Sequence, residues 1–284
     1  MDNKVLNIKT VIDYIEDHLD TKLDLETVAE AVHYSKYHLH RMFSETVGMT
    51  VHDYVQRRQL TEAAKLLVFS DKPVIDLALM FGFKSPQAFS LAFKQIYKST
   101  PSDYRENRVF YPLQLRFDLI ENVPGKELSK EYIHIAKRDD IPEWMDLMRM
   151  VIDGYPVMNE EIYRSSLIKA VDENRALVMR DGDILAGAMI FSEDPPCIDF
   201  FGIHPQYRRR GLEKMFLDAM MERVNGSEIS ATTYREGDRA DTGYRDLLKQ
   251  LGFAERELLT EYGYPTQRFV YDSRRKDEEN ETVI

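Results

Sequence analysis

Residues 74–97 read VIDLALMFGFKSPQAFSLAFKQIY, and they set the architecture of the first hundred residues. The apolar run at the start predicts a short helix that ends at Gly82, because glycine readily adopts the left-handed backbone that closes a helix. Ser85 and Pro86 then predict the start of a second helix, with serine as the N-cap and proline in the first turn. The inward stripe of that helix is Phe89, Ala92, Phe93 and Ile96.

The same pattern occurs earlier in the chain. Residues 25–32 predict a short helix, and Ser35 caps the next helix after a tight turn. The inward stripe of this helix is Leu39, Met42, Phe43 and Val47. A long helix follows over about residues 50–68. Because Ser35 and Ser85 hold equivalent places, the sequence predicts two helix-turn-helix units joined by one long helix.

The second helix of each unit carries candidate DNA-binding residues. In a helix-turn-helix, this helix lies in the major groove and its exposed N-terminal residues reach base edges. Arg and Lys suit guanine, and Gln suits adenine. The candidates are Lys36, Tyr37, His38, His40 and Arg41 in the first unit, and Lys84, Gln87, Ala88, Ser90 and Lys94 in the second. Ser35 and Ser85, at helix starts with free amides, are candidates for holding phosphates.

These residues together resemble the AraC/XylS transcription regulators over about residues 8–105. The second unit carries most of the match, through Ala78, Gly82-Phe83-Lys84-Ser85, Phe89, Phe93-Lys94 and Pro101-Ser102-Asp103-Tyr104-Arg105. The first unit adds Ala29, Ser35, Leu39, Arg41-Met42-Phe43, Gly48, Tyr54 and Arg57-Arg58. Two positions depart from the family: Ala88 stands where an aromatic is usual, and Ser99 follows Lys98 where glycine is usual.

The resemblance implies double-stranded DNA as the partner. It implies two recognition helices in one chain, which enter successive major grooves and read a non-palindromic site. A helical bundle without a DNA role is the alternative, and the doubled, capped pattern disfavours it. A metal site is not predicted, because His38 and His40 lie two residues apart on a helix and do not share a face.

Composition and charge fit this interpretation. The 284 residues suggest two domains, and a hydrophobic content of 43% excludes a largely disordered chain. The single cysteine, Cys197, excludes a disulfide framework, and without a long apolar run we expect a cytoplasmic protein with no membrane partner. The net charge is −11, but residues 1–108 hold 14 Lys and Arg against 15 Asp and Glu. The acidity therefore lies in the second half, which is an unlikely surface for nucleic acid.

The remaining chain divides into three predicted parts. Residues 109–131 form a linker in which Leu113, Leu115, Phe117 and Leu119 alternate with polar residues, an alternation that indicates an ordered strand. Residues 132–271 predict a mixed α/β domain. Its predicted strands cover 132–136, 175–180, 184–191, 197–203 and about 267–271, and its predicted helices cover 141–151, 211–224 and 244–251. Residues 272–284 predict a disordered, charged tail.

A basic, glycine-containing segment follows the strand 197–203 and opens the next helix. Free amides at a helix start, preceded by arginines, suit a pyrophosphate group. The segment resembles the acyl-CoA motif of the GNAT acetyltransferases, and the order of elements over about 132–271 fits that family. The resemblance implies acetyl-CoA as a cofactor. The residues that correspond to its binding loop are Ile203, Arg208, Arg209, Arg210, Gly211, Leu212, Glu213 and Lys214.

Two departures from the GNAT pattern fall on the chemistry. Glu213 stands where Gly or Ala is usual and brings a negative charge to the diphosphate. Leu248 stands where acetylating members often carry a tyrosine that protonates the leaving thiolate, and leucine cannot donate a proton. Tyr244 lies one helical turn earlier and is a candidate substitute. Glu193 and Asp199 are candidates for a general base, although ordinary surface carboxylates are the favoured interpretation.

Three functions fit these observations. The favoured one is a DNA-binding transcription regulator whose GNAT-like domain senses a small-molecule effector or mediates assembly. The alternative is a bifunctional regulator with an active acetyl-CoA-dependent N-acetyltransferase domain that acts on an amine. The third makes the acetyltransferase the main function and the DNA-binding domain a targeting device. The residues Glu213 and Leu248 weigh against both enzymatic functions.

Overall fold

A computed structural model describes residues 3–121, 123, 127–151, 159–225, 228–261 and 264–273. The chain divides into two compact units. The first comprises Met1–Pro124 and Arg149–Asn159, and the second comprises Gly125–Met148 and Glu160–Ile284. The predicted tail, 272–284, lies outside the described residues except for Asp272, which ends a strand, and Ser273. No helix in the described part of the chain is long and apolar enough to cross a membrane.

The first unit is helical. Its helices are α1 (Asn3–Asp17), α2 (Leu25–Ala31), α3 (Lys36–Val47), α4 (Val51–Phe69), α5 (Val74–Met80), α6 (Pro86–Tyr97) and α7 (Pro101–Asn107). The pairs α2–α3 and α5–α6 are the two predicted helix-turn-helix units, and α4 joins them. The amino-terminal half of α4 packs into one hydrophobic core with α1 to α3, and its carboxyl-terminal half packs into a second core with α5 to α7.

The two halves repeat with a constant offset of 50 residues. The N-cap oxygens of Ser35 and Ser85 accept hydrogen bonds from the amides three residues later. Helices α3 and α6 end at Gly48 and Lys98, and both residues are left-handed, with φ of 76° and 61°. Lys98, and not Ser99, therefore takes the place of the usual glycine, because the chain turns at that residue.

A buried ion pair joins α1 to α4. The Arg58 guanidinium donates to both carboxylate oxygens of Glu16 at 2.8 and 2.7 Å, and Tyr54 Oη donates to Glu16 at 2.8 Å. Both charged side chains are almost fully buried. Burial, with the negative charge of Glu16 beside it, holds the pKa of Tyr54 well above its usual range. These residues stabilise the helical core and do not face solvent.

The predicted linker is an extended segment on the helical unit, and no strand forms within residues 109–121. Leu113 is buried in the second core, whereas Phe117 and Leu119 are buried in the first. The backbone of Tyr111 bonds to the hydroxyls of Tyr97 and Tyr104, at 3.1 and 2.9 Å. The alternation that indicated a strand therefore reflects one buried face. The backbone bonds to side chains, so it pairs with no neighbouring strand.

The second unit is a seven-stranded sheet with helices, in the order β1-β2-β3-β4-β5-β7-β6. Its strands are β1 (Ile133–Ile135), β2 (Ala176–Asp181), β3 (Ile184–Glu193), β4 (Pro196–Ile203), β5 (Glu228–Tyr234), β6 (Ala254–Glu261) and β7 (Tyr264–Asp272). Its helices are α8 (Ile141–Val151), α9 (Glu160–Asp172), α10 (Leu212–Met221) and α11 (Tyr244–Gln250). The sequence predictions omitted α9, β5 and β6.

The sheet opens at its centre. All neighbouring strands are antiparallel except β4 and β5, which are parallel. The register of β4 with β5 comprises Cys197 with Ser230 and Ile198 with Ala231, near the start of both strands. The carboxyl-terminal parts of the two strands therefore diverge. The loop that leaves β4 leads directly to α10, and this loop contains the predicted phosphate-binding segment.

Candidate nucleic-acid interface and phosphate-binding loop

Helix α3 presents its predicted DNA-binding residues to solvent. Its apolar stripe is buried in the core, as the spacing predicted. The opposite face is exposed and carries Ser35, Lys36, Tyr37, His38, His40 and Arg41. Tyr37 is 79% exposed, an unusual degree for a tyrosine that has no partner to cover it in the isolated chain. Lys36 lies 3.8 Å from Glu26 and 5.7 Å from the ring of Tyr37.

Helix α6 presents the second predicted set in the same way. Lys84, Gln87, Ala88 and Lys94 are exposed, while Ser85 and Ser90 are half-buried. Leu91 lies on this face as well and is 60% exposed. The sequence interpretation missed Leu91, because leucine in an amphipathic helix is expected in the core. The offset of 50 residues could have found it, since Leu91 corresponds to the exposed Arg41.

The two N-cap serines are engaged with their own helices. Ser35 Oγ accepts from the amide of His38 at 3.3 Å, and Ser85 Oγ accepts from the amide of Ala88 at 3.1 Å. Each cap satisfies one amide of the first turn, and the remaining first-turn amides stay available to an anion. Among the described residues, no group of three or more His, Cys, Asp or Glu side chains could hold a metal ion.

The loop after β4 has the backbone of an anion-binding turn. Arg209 and Gly211 both have left-handed backbones, with φ of 61° and 80°. Such alternation turns successive amides toward one concave side. No heavy atom lies within 4 Å of a Cβ built on Gly211, so the space beside it is open. Gly211 caps α10 without a side-chain hydrogen bond, which leaves its first-turn amides unsatisfied by a cap.

The side chains of this loop are arranged unequally. Ile203 and Leu212 are buried, Arg208 and Glu213 are half-buried, and Arg209, Arg210 and Lys214 are exposed. Arg210 lies over the ring of Tyr207 at 4.8 Å, and Lys214 forms an ion pair with Asp218 at 2.8 Å. Within the described part of the chain, the Glu213 carboxylate forms no ion pair. The backbone therefore fits a diphosphate, while the Glu213 carboxylate opposes it.

Two buried side chains hold the loop in place, and neither was predicted. Tyr207 Oη donates to the buried carboxylate of Asp181 at 2.9 Å. Burial and this carboxylate raise the pKa of Tyr207 well above its usual range. His204 Nδ1 accepts from the amide of Gln206 at 3.3 Å. Burial, with the positive charges of Arg208 and Arg210 nearby, lowers the pKa of His204 to about 4, so its ring is neutral near pH 7.

The predicted catalytic candidates do not form an acid–base pair. Glu193 is exposed at the end of β3, and Asp199 is exposed on β4, where it accepts from Ser192 Oγ at 2.6 Å. Tyr244 is half-buried in the first turn of α11. Leu248 is only 1% exposed and belongs to the core. A proton donor is thus replaced by a packed aliphatic side chain at position 248.

The capped helix pairs and their exposed basic faces define the first unit as the DNA-binding domain of a transcription regulator. A family model described as a helix-turn-helix domain matches residues 28–107. The chain is 38% identical over 114 residues to the multiple antibiotic resistance protein MarA of Escherichia coli (strain K12), an alignment that covers 38% of this chain and 90% of MarA. The chain belongs to the AraC/XylS family of transcription regulators.

Solved structures resemble each unit separately. The DNA-binding domain of AdpA, in complex with a target DNA, is 28% identical and covers 35% of this chain and 89% of that chain, with a TM-score of 0.34. A GNAT-family acetyltransferase from Bacillus cereus ATCC 10987 is 17% identical and covers 49% of this chain and 95% of that chain, with a TM-score of 0.40. The strand order, the opening after β4 and the loop into α10 make the second unit GNAT-like.

Proposed function

We propose that this regulator reads DNA with α3 and α6 and that its GNAT-like unit senses a ligand without transferring an acyl group. The observation that carries the second part is a contrast within one fold. Arg209 and Gly211 keep the left-handed backbone of a phosphate loop, whereas Leu248 fills the position of the proton donor. Binding geometry is retained and proton transfer is not.

In the DNA-binding part, Arg41 and Gln87 read base edges, while Lys36, Lys84 and Lys94 meet phosphates. The remaining exposed candidates, Tyr37, His38 and His40 on α3 and Ser90 on α6, contribute groove contacts, and the caps Ser35 and Ser85 lie at the phosphate backbone. This assignment follows from their exposure on the outer faces of two capped helices.

In the sensing part, the amides of residues 208–213 and the side chains of Arg208 and Arg210 hold the diphosphate of an acyl-CoA. Arginines at a helix start suit such a group, because their charge and donors match phosphate oxygens. The diverging parts of β4 and β5 leave room for the extended arm of the ligand. The ligand, once bound, changes the affinity of the chain for DNA.

Calorimetry of the full chain with acetyl-CoA tests the sensing part. We expect saturable binding, and we expect Glu213→Gln to bind about tenfold more tightly, because it removes one negative charge beside the diphosphate. The matched control is Asp246→Asn, which removes an exposed carboxylate from the first turn of α11 and should leave the affinity unchanged. If neither the natural chain nor the Glu213 variant binds, the GNAT likeness is one of fold alone.

Acetyl transfer to an amine is the second candidate, and the half-buried Tyr244 at the start of α11 favours it. In this case Tyr244 would protonate the thiolate that leaves. Incubation of the full chain with acetyl-CoA and a panel of amines separates the two functions. Release of free thiol that depends on the amine and is lost in Tyr244→Phe would support transfer. Binding without release supports sensing.

A further inference from the structure

The two recognition helices can be compared position by position. Helices α3 and α6 have 12 residues each, and their N-caps lie 50 residues apart. Their buried residues keep the same offset. They are Leu39, Met42, Phe43, Thr46 and Val47 in α3, and Phe89, Ala92, Phe93, Ile96 and Tyr97 in α6. Because the buried faces match at every position, the exposed faces match as well.

The exposed faces differ in chemistry. On α3 the outward positions hold Tyr37, His38 and Arg41, which are two aromatic rings and one guanidinium. The corresponding positions on α6 hold Gln87, Ala88 and Leu91. An amide and two apolar side chains therefore replace the rings and the cation. The two helices cannot prefer the same bases, because they present different donors, acceptors and apolar groups.

Leu91 is the most unusual residue of this face. It is 60% exposed, although it lies on a helix whose other large apolar residues are buried. Ala88 precedes it by three residues and Gln87 by four, so the three side chains are neighbours on the helix surface. Together, Ala88 and Leu91 form a small apolar surface beside one amide. This surface lies on the face that the proposed function directs to the major groove.

We propose that Leu91 and Ala88 read the C5 methyl group of thymine in the half-site bound by α6. The inference rests on the proposed function, since it requires α6 to lie in the groove. The thymine methyl is the apolar group that the major groove offers, and leucine and alanine can cover it. Gln87, one turn earlier, reads a neighbouring adenine. The half-site of α6 is therefore rich in A·T pairs, whereas Arg41 directs α3 to guanine.

The test removes the methyl group from the DNA. The full chain first selects its preferred sequences from a randomised duplex pool, and each thymine of the selected site is then replaced by deoxyuridine. Deoxyuridine keeps base pairing and lacks only the methyl group. We expect at least one such replacement to weaken binding by about fourfold in an anisotropy titration, as the loss of one buried methyl group implies.

The same titration with Leu91→Ala links the methyl group to the protein. In this variant, the sensitive thymine should tolerate deoxyuridine without further loss. Leu79→Ala is the matched control, because Leu79 is an exposed leucine of α5 at 63% exposure and should keep the full fourfold sensitivity. Leu91→Arg restores the residue type of the corresponding position on α3. Selection with Leu91→Arg should replace thymine by guanine in that half-site.

The proposal is overturned if no thymine of the selected site responds to deoxyuridine, or if Leu91→Ala keeps the same sensitivity. A chain that selects no sequence from the pool contradicts DNA reading itself, and the inference falls with it. A selected site without a methyl effect contradicts the inference alone. Circular dichroism of each variant confirms that the exposed substitutions leave the helices folded.

Discussion

At the residue scale, Arg41 is the side chain with most to contribute to base recognition. It is exposed on α3, and arginine can donate two hydrogen bonds to guanine. We expect Arg41→Ala to weaken specific DNA binding by about 1–3 kcal/mol in an anisotropy titration at fixed salt. Arg41→Lys should recover little of this loss, because lysine keeps the charge but not the bidentate geometry.

The control for Arg41 is Lys65→Ala. Lys65 is exposed on α4, where it lines a groove with Glu16, Asp17, Asp20 and Glu62. This acidic neighbourhood is unsuited to DNA, so the loss of its charge should leave the affinity unchanged. Equal effects of Lys65→Ala and Arg41→Ala would show that only total charge matters and would reject a base contact by Arg41.

A second residue-scale prediction concerns pH. The pKa of His204 falls from 6.5 to about 4 on folding. Between these values the unfolded chain binds a proton that the folded chain does not, so stability is lost as the pH falls. We expect His204→Asn, which keeps an acceptor for the Gln206 amide, to reduce the loss of unfolding free energy between pH 7 and pH 5 by about 2 kcal/mol.

Urea unfolding followed by tryptophan fluorescence measures this effect. The chain has one tryptophan, Trp144, which is fully buried in the second unit and donates to Tyr163 Oη at 2.9 Å. Its emission therefore reports on the unit that contains His204. His134→Asn, at an exposed position on β1, is the matched control and should keep the pH dependence of the natural chain. An identical slope for both variants would rule out a role for His204.

At the element scale, local caps define the helices of the first unit. Thr50 and Thr100 cap α4 and α7 by accepting from the amides of Asp53 and Asp103, at 3.0 and 3.2 Å. We expect Thr100→Ala to lower the unfolding free energy by about 1 kcal/mol in urea titrations followed by circular dichroism. Thr100→Ser keeps the hydroxyl and should recover most of the loss. If both variants lose stability equally, the methyl group matters and the cap does not.

The extended segment 109–121 is an element of the DNA-binding unit. The ring of Phe117 stacks on Tyr54 at 5.3 Å and is only 2% exposed. We expect Phe117→Ala to destabilise the helical unit by about 3 kcal/mol, since truncation leaves a cavity in the core. Val109→Ala is the control, because Val109 is 56% exposed and should change stability by less than about 0.5 kcal/mol. A free tether would show no difference between the two variants.

At the scale of the whole molecule, local charge and net charge have opposite signs. The chain carries a net charge of −11, yet Lys36, Lys84 and Lys94 are exposed on the recognition helices. We expect log K for DNA to fall with log salt concentration with a slope of about −3, or about −0.9 for each phosphate contact. Lys94→Ala should make the slope shallower by about one, and Lys65→Ala should leave it unchanged. A slope near zero would contradict phosphate contact by these lysines.

The sequence by itself determined the helical unit almost completely. Helix caps, turns and buried stripes depend on bonds and contacts between residues three or four positions apart, so Ser35, Ser85 and the two apolar stripes could be recognised in one dimension. The strands β2, β3 and β4 were also predictable from their alternation and from the hairpin at Gly182. The exposed candidates of α3 and α6 followed directly from these local patterns.

Tertiary structure decided what depends on distant partners. The segment 109–121 has the alternation of a strand, but its buried face packs on helices and its backbone bonds to Tyr97 and Tyr104. The left-handed backbone of Arg209 is not encoded by its residue type, and the exposure of Leu91 depends on which face α6 buries. Residue type and spacing specify local hydrogen bonds, whereas packing between distant elements selects which surfaces remain open.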